Sequence, residues 1–143
     1  MKSISKYITY AEAVTSQTAT RNGILNVPSP ESIVNMQLVG LRIFDVVREH
    51  FNKPIRVSSF FRGLLLNKAV KGSRTSQHVK GQAIDMQGTN GLTNKQIFEY
   101  IKINLDFDQL IWEFGDKKNP AWVHVSYVSK EKNRKQVLYI GVK

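Results

Sequence analysis

The order of secondary-structure signals along the chain limits its possible folds more than any other feature. Three β-rich runs close the sequence, "FDQLIWEF", "AWVHVSYV" and "QVLYIGV", and the polar turns "GDKKNP" and "SKEKNRK" separate them. We expect these runs to pair as antiparallel hairpins. Two earlier strand-like runs, "IRVSSFF" and "QAIDM", lie among helical signals. Helices first and strands clustered last predict an α+β fold, in which helices pack around an antiparallel sheet of about four strands.

The clearest helical signal covers residues 29–51. Ser29 suits the N-cap, Pro30 suits the first helical position, and Pro54 ends the segment. The apolar residues of this segment recur at helical spacing and predict one buried face, made of Ile33, Val34, Leu38, Leu41, Phe44, Val47 and Phe51. His50 falls in the last turn, where a cation suits the helix dipole, so we interpret it as structural.

The remaining helical signals are a short one in "TYAEAVTSQTATRNG" and a long one after Thr93, where Thr93 and Gln96 can form a capping box. No repeat or linker divides the chain, and its 143 residues suit one hydrophobic core. We therefore predict a single domain over residues 1–143, with a helical part over 1–52 and a motif region over 55–127.

The formal net charge of +10 predicts an anionic partner. Nucleic acid, a membrane surface and an acidic cell-wall polymer all fit this charge. The basic residues are scattered, however, and no RNP, KH, zinc-finger or basic-helix pattern is present, so we do not expect nucleic-acid binding. No apolar run is long enough to span a bilayer, and the first residues lack the apolar stretch of a secretory signal. We expect a protein that does not insert into membranes and is cytoplasmic as synthesised.

The stretch "SQHVKGQAID" and the later "WVHVSY" together offer a candidate metal site. The sequence has no cysteine, which excludes sulfur ligands, whereas histidine and carboxylate are the usual remaining donors to catalytic zinc. His78 and Asp85 flank a turn in which Gly81 can reverse the chain, and His124 lies on a predicted strand. Asp85 ends an apolar strand, where an unpaired carboxylate is costly and a bound cation removes the cost.

Glu113 is the candidate general base. Strand alternation, together with a hairpin through "GDKKNP", allows Glu113 and His124 to point into one pocket. Taken singly, each of these residues has a structural interpretation: a strand histidine is commonly a core residue, and Glu113 could be a surface glutamate at a hairpin end. Their combination favours the catalytic interpretation. Ser126 forms no plausible Ser/His/Asp set, so a serine nucleophile is not expected.

These motifs resemble those of a known family. "SQHVKGQAID" matches Ser-x-His-x-x-Gly-x-Ala-x-Asp, and "EF…WVHVSY" matches a Glu…His-Val-Ser ending. Together they resemble the zinc D-alanyl-D-alanine carboxypeptidases and the related phage endolysin peptidases. The upstream "VSSFFRG…LNKAVKGSRTSQH" is also similar to that family's pattern. One departure is visible, because the family's Ser-Gly-Tyr-Arg run reads "SSFFRG" here, with Phe60 and Phe61 before Arg62.

The resemblance implies a single peptidase domain with a hedgehog/DD-peptidase-like fold and a zinc site in a cleft on the sheet. It implies Zn²⁺ as cofactor, held by His78, Asp85 and His124, with Glu113 as the base that takes a proton from the water at the metal. Two more residues complete the implied site: Arg62, which would contact the substrate carbonyl or carboxylate and stabilise the oxyanion, and Ser76, which would orient the substrate. For these two, the structural alternatives are a surface ion pair and a loop cap.

The implied activity is hydrolysis of an amide bond in peptidoglycan stem peptides, by a carboxypeptidase or an endolysin-type endopeptidase. Such a protein is expected to be a monomer that reaches the cell wall after release or export. The alternative is a non-catalytic zinc- or cell-wall-binding module on the same fold.

Overall fold

The computed structural model describes all 143 residues of the chain. The helices are α1 (Tyr10–Val14), α2 (Gln17–Arg21), α3 (Pro30–Val39), α4 (Asp45–Phe51), α5 (Leu64–Ala69) and α6 (Asn94–Asn104). A π-helical segment (Gly40–Phe44) joins α3 to α4, and a 3₁₀ turn (Gln77–Lys80) precedes β2. The strands are β1 (Ile55–Ser59), β2 (Ala83–Gly88), β3 (Gln109–Glu113), β4 (Trp122–Ser126) and β5 (Gln136–Ile140). The predicted α+β class is therefore confirmed.

The five strands form one open sheet in the order β1-β2-β4-β3-β5. The sequence predicted about four strands, so the count is corrected to five. The β1–β2, β2–β4 and β3–β4 pairs are antiparallel, and β3 and β4 form the expected hairpin. The last pair differs from the prediction, because β5 runs parallel to β3 rather than forming a hairpin with β4.

The position of β4 explains the orientation of β5. Strand β4 lies between β2 and β3, so both of its edges are already hydrogen-bonded when the chain leaves it. The chain reverses through residues 127–135 and joins the outer edge of β3. A strand that runs opposite to β4 is necessarily parallel to β3, because β3 and β4 are antiparallel.

The long helical region is interrupted rather than continuous. Ser29 caps α3 and Pro30 begins it, as predicted. In the π-helical segment, however, Gly40 meets the N-terminal segment so closely that a Cβ atom would lie 2.6 Å from Ser5 Oγ. Buried Asp45 then accepts hydrogen bonds from Ser5 Oγ at 2.9 Å and from the Lys6 backbone N–H at 3.1 Å. The interruption thus ties the first residues of the chain to the helices.

The helices cover one face of the sheet and leave the other face for loops. Alternate residues of the central strands enter the core with helix residues, including Ile84, Met86, Trp112, Val123 and Val125 from the sheet and Val39, Phe44, Phe98 and Ile101 from the helices. The residues between them point to the opposite face. This second face, together with residues of the 3₁₀ turn, carries the polar residues described next. No helix of the protein combines the length and apolar character needed to cross a membrane.

Candidate active site

The register of the three central strands brings the candidate residues onto one row of the sheet. Asp85 of β2 lies opposite His124 of β4, which in turn lies opposite Ile111 of β3. Glu113 is opposite Trp122, one pair further along the same face. Directly opposed residues of antiparallel strands point to the same side. The strand pairing alone therefore places Asp85, His124 and Glu113 as neighbours.

His78 reaches this row from the 3₁₀ turn. The Ser76 hydroxyl caps the turn by accepting a hydrogen bond from the His78 backbone N–H at 3.3 Å. Gly81 ends it with φ +73°, and a Cβ atom there would lie only 2.5 Å from the Ser32 carbonyl oxygen. Glycine is thus required both by the left-handed backbone and by the close approach of α3. The predicted chain reversal at Gly81 is present.

The His78 ring is held in one tautomer. Its Nδ1 lies 2.7 Å from the Phe60 carbonyl oxygen, which can only accept, so Nδ1 carries the proton. The Nε2 lone pair then faces Asp85 Oδ2 at 3.3 Å. Two electron-rich atoms this close in a buried place need a proton or a metal cation between them. A backbone carbonyl that orients the ring of a histidine ligand is typical of metal sites.

His78, Asp85 and His124 form a compact donor cluster. His124 Nδ1 lies 3.0 Å from Asp85 Oδ1, and one donor atom from each of the three residues lies within 4.8 Å of the others. Burial by itself raises the pKa of the Asp85 carboxyl, but the charges and hydrogen bonds of the two imidazoles outweigh it and hold this pKa below its ordinary value. Two histidines and an ionised carboxylate are a donor set that fits zinc.

Glu113 stands beside this cluster without belonging to it. Its Oε1 lies 3.6 Å from His124 Nδ1, and its side chain is 20% exposed. Burial raises the pKa of the Glu113 carboxyl, and the negative charge of Asp85 adds to the effect. The indole N–H of neighbouring Trp122 is buried and has no hydrogen-bond partner. A half-buried carboxyl with a raised pKa is suited to accepting and releasing a proton.

Arg62 and Ser76 lie at the same site. The Arg62 backbone N–H donates to the His78 carbonyl oxygen at 3.1 Å, and Arg62 Nη2 donates to Ser76 Oγ at 3.4 Å. Burial lowers the pKa of the Arg62 guanidinium, against the opposing charges of Asp85 and Glu113. The Arg62 Nε–H group is buried without a partner. These contacts differ from the surface ion pair that was the structural alternative for Arg62, whereas Ser76 does act as a cap.

The cluster lines a cleft of about 590 Å³ with only one apolar lining residue, Ile111. Six lining residues were not predicted from the sequence: Ser73, Thr75, Gln77, Gln109, Ile111 and Arg134. Gln77 directly precedes the predicted metal donor His78 in "SQHVKGQAID", and this position could have identified Gln77 as a residue of the site. Arg134 sits in a charged turn, where nothing local separates it from its lysine neighbours.

The departure from the family pattern at "SSFFRG" lies in the core. Phe60 and Phe61 are 1% and 6% exposed, and neither lines the cleft. The Phe60 carbonyl still orients His78. The change of side chains at these two positions therefore alters the packing beneath the cleft rather than the chemistry inside it.

A cleft that combines a His–Asp–His donor cluster with an adjacent carboxylate has the components of a metal-dependent hydrolase. The model of the family described as Peptidase M15 matches residues 6–126, which is most of the chain. The chain therefore belongs to the Peptidase M15 family, that of the zinc D-alanyl-D-alanine carboxypeptidases, as its motifs predicted. No curated protein matches the chain.

Proposed function

We propose that the protein is a zinc-dependent peptidase that hydrolyses an amide bond in peptidoglycan stem peptides, as a carboxypeptidase or an endopeptidase. The observation that carries this proposal is the convergence of His78, Asp85 and His124 within 4.8 Å, with Glu113 beside them. Membership of a peptidase family supports the reaction class. Because every group of the site comes from one chain, we propose that the protein acts as a monomer.

His78 Nε2, Asp85 and His124 Nδ1 would hold the zinc ion. When bound, zinc supplies Lewis acidity, which polarises an amide carbonyl and makes water acidic near neutral pH. Asp85 contributes its negative charge, and the Phe60 carbonyl keeps His78 in the tautomer whose Nε2 can coordinate.

Glu113 would take a proton from the attacking water and pass it to the leaving amine. Its raised pKa, which comes mainly from burial, makes it a better base than an ordinary solvent-exposed carboxylate. Its Oε1 lies 3.6 Å from His124 Nδ1, so Glu113 would be close to the reacting groups without being one of the three metal ligands. A non-catalytic binding module has no need of a base at this place.

Arg62 would stabilise the negative charge that develops on the carbonyl oxygen. The Arg62 side chain lines the cleft, and its guanidinium donates within the protein through Nη2 to Ser76, which leaves further N–H donors for a substrate. Ser76 holds the guanidinium through this hydrogen bond, at 3.4 Å. A donor that is already oriented costs little reorganisation during the reaction. Ser76 is thus proposed to act on the substrate by positioning Arg62.

Digestion of purified muropeptides tests this function. The metal-loaded protein is expected to cut a stem peptide into two products, identified by mass spectrometry. A chelator should stop the cleavage, and added Zn²⁺ should restore it. Intact muropeptides after incubation with fully zinc-loaded protein would overturn the proposed activity and favour the binding-module alternative.

A further inference from the structure

A second guanidinium, that of Arg134, lines the cleft. It comes from the segment between β4 and β5, outside the residues that the family model matches. Residues 6–126 contain every group proposed above for the chemistry, so Arg134 has no part in that proposal. Its surroundings nevertheless hold it more firmly than is usual for an exposed arginine.

Asp108 holds Arg134 in a fixed orientation. The Arg134 Nε–H donates to Asp108 Oδ1 at 2.9 Å, and Nη2 donates to Oδ2 at 2.8 Å. The Arg134 backbone N–H also donates to Oδ1, at 3.0 Å. The Asp108 side chain is only 2% exposed, whereas that of Arg134 is 57% exposed. Paired donors to one carboxylate fix the plane of a guanidinium, which a single contact cannot do.

The same aspartate connects Arg134 to the donor cluster. Gln77 Nε2 donates to Asp108 Oδ2 at 2.9 Å, and Gln77 is the residue before His78. Asp108 therefore ties the turn that carries His78 to the segment that carries Arg134. The guanidinium is thereby held at a constant place relative to the site of hydrolysis.

The pairing with Asp108 leaves part of the guanidinium free. An arginine side chain has five N–H donors, and Asp108 takes one from Nε and one from Nη2, so that Nη1 keeps both of its own. Among the other cleft-lining residues, Ser73, Thr75 and Gln109 are neutral, and the two carboxylates, Asp85 and Glu113, belong to the candidate metal site and its base. A planar, oriented pair of donors in a polar cleft is suited to a carboxylate.

We propose that Arg134 binds a free carboxylate of the peptide substrate, away from the bond that is cut, and so selects acidic peptides. This inference rests on the proposed peptidase function, since it assumes a peptide in the cleft. In that role Arg134 is a substrate-binding residue that sets specificity, while Arg62 serves the reacting carbonyl.

The alternative role for Arg134 is purely structural, as the anchor of the segment before β5. The two roles differ in their dependence on the substrate. A lost anchor changes the cleft for every peptide alike. A lost carboxylate contact changes only the peptides that carry that carboxylate.

The proposal is tested with a set of stem peptides. In each peptide of the set, a different free carboxylate is replaced by a carboxamide. With wild-type protein, one such amidation is expected to raise KM by about 10-fold with little change in kcat, the value of one charge-assisted hydrogen-bonded contact. Arg134→Gln should raise KM for the unmodified peptide by a similar factor. For the peptide whose amidation raised KM, the same substitution should cause no further increase in KM. Lys132→Gln, which removes one positive charge from the same segment, should leave both peptides unaffected.

A binding experiment separates failure of this inference from failure of the proposed function. Glu113→Gln protein loaded with zinc, with and without Arg134→Gln, is titrated with the same peptides by calorimetry. The inference is overturned if Arg134→Gln weakens binding of all peptides equally, or if it weakens none of them. If the wild-type protein cleaves no peptide, the proposed peptidase function is contradicted. The inference about Arg134 is still tested in that case, because the calorimetric titration measures the carboxylate contact without any cleavage.

Discussion

The central strands β2 and β4 differ from the edge strand β5 in how firmly the sheet holds them. Strands β2 and β4 are hydrogen-bonded on both sides, and their inward residues Ile84, Val123 and Val125 are fully buried. Strand β5 pairs only with β3, and its residues Tyr139 and Ile140 are 56% and 44% exposed. Two of the three candidate metal donors, Asp85 and His124, lie on the central strands, and His78 lies in the turn that leads into β2. Arg134 belongs to the segment that enters β5.

This difference in strand support matches the positional precision that metal binding and substrate recognition each need. Metal coordination requires donor atoms placed to within fractions of an ångström, which two-sided strand pairing and a packed core can supply. Recognition of a charged group tolerates more variation, and side-chain contacts such as those of Asp108 are enough to orient it. We therefore propose that the chemistry depends on the centre of the sheet and the selectivity on its edge. The predictions below test that division, beginning with the largest effect.

Asp85→Asn is expected to have the largest effect. Removing the charge that the two imidazoles stabilise should weaken Zn²⁺ affinity by more than about 100-fold and abolish turnover. Metal analysis after dialysis and a peptidase assay measure both quantities. Glu131→Gln, which removes a carboxylate from the exposed segment before β5, is the matched control and should behave as wild type. Full zinc content in Asp85→Asn protein would mean that the metal binds elsewhere.

Glu113→Gln should separate chemistry from metal binding. We expect kcat to fall by about 10²- to 10⁴-fold, the usual contribution of a general base, while zinc content stays unchanged. Stopped assays on a stem peptide, combined with metal analysis of the same sample, check this result. Turnover at the wild-type rate would remove Glu113 from the mechanism.

Asp108→Asn should affect stability and its dependence on pH. Hydrogen bonds from Arg134 are the main cause that lowers the Asp108 pKa to about 2 from its usual 3.8, with burial acting in the opposite direction. A lowered pKa in the folded state means that ionised Asp108 stabilises the fold above pH 4, and that this contribution is lost as the pH falls towards 2.

The Asn variant should therefore lose about 1–2 kcal/mol in the free energy of unfolding at neutral pH, a figure reduced by the solvent exposure of Arg134. Urea unfolding at several pH values measures the difference between the two proteins. This difference should shrink between pH 4 and pH 2. A difference that does not vary with pH would show that the charge of Asp108 is not what stabilises this region.

A matched pair of valine truncations compares the two regions directly, and the quantity that it tests, the difference between the two losses, is the smallest effect, at about 1 kcal/mol. Val125→Ala on β4 removes fully buried apolar groups and should cost about 2 kcal/mol of unfolding free energy. Val137→Ala on half-buried β5 should cost about 1 kcal/mol or less and leave zinc affinity unchanged. Equal losses in denaturant unfolding would contradict the idea that β5 is held less firmly.

The sequence predicted most of the site because its geometry follows from short-range rules. Strand alternation fixes the faces of Asp85, His124 and Glu113, and a glycine at residue 81 signals the reversal that brings His78 to them. The resemblance to a known family added Arg62 and Ser76, which no local pattern distinguishes from an ion pair or a cap.

Features that depend on the assembled fold could not be predicted. The parallel direction of β5 follows from which sheet edge remains free, and the pairing of Arg134 with Asp108 joins positions 26 residues apart. Val34 and Leu41, predicted as buried, are seven residues apart on the face of the long helix that turns away from the core, and are 61% and 59% exposed. Met36, Val39 and Ile43 occupy the core instead.

A crystal structure of the zinc-loaded protein, with anomalous diffraction recorded at the zinc edge, tests the central claim most directly. We predict a single anomalous peak about 2.0–2.2 Å from His78 Nε2, an Asp85 carboxylate oxygen and His124 Nδ1, with Glu113 outside bonding distance. A peak on other residues, or no peak at this cluster at saturating zinc, would contradict the account.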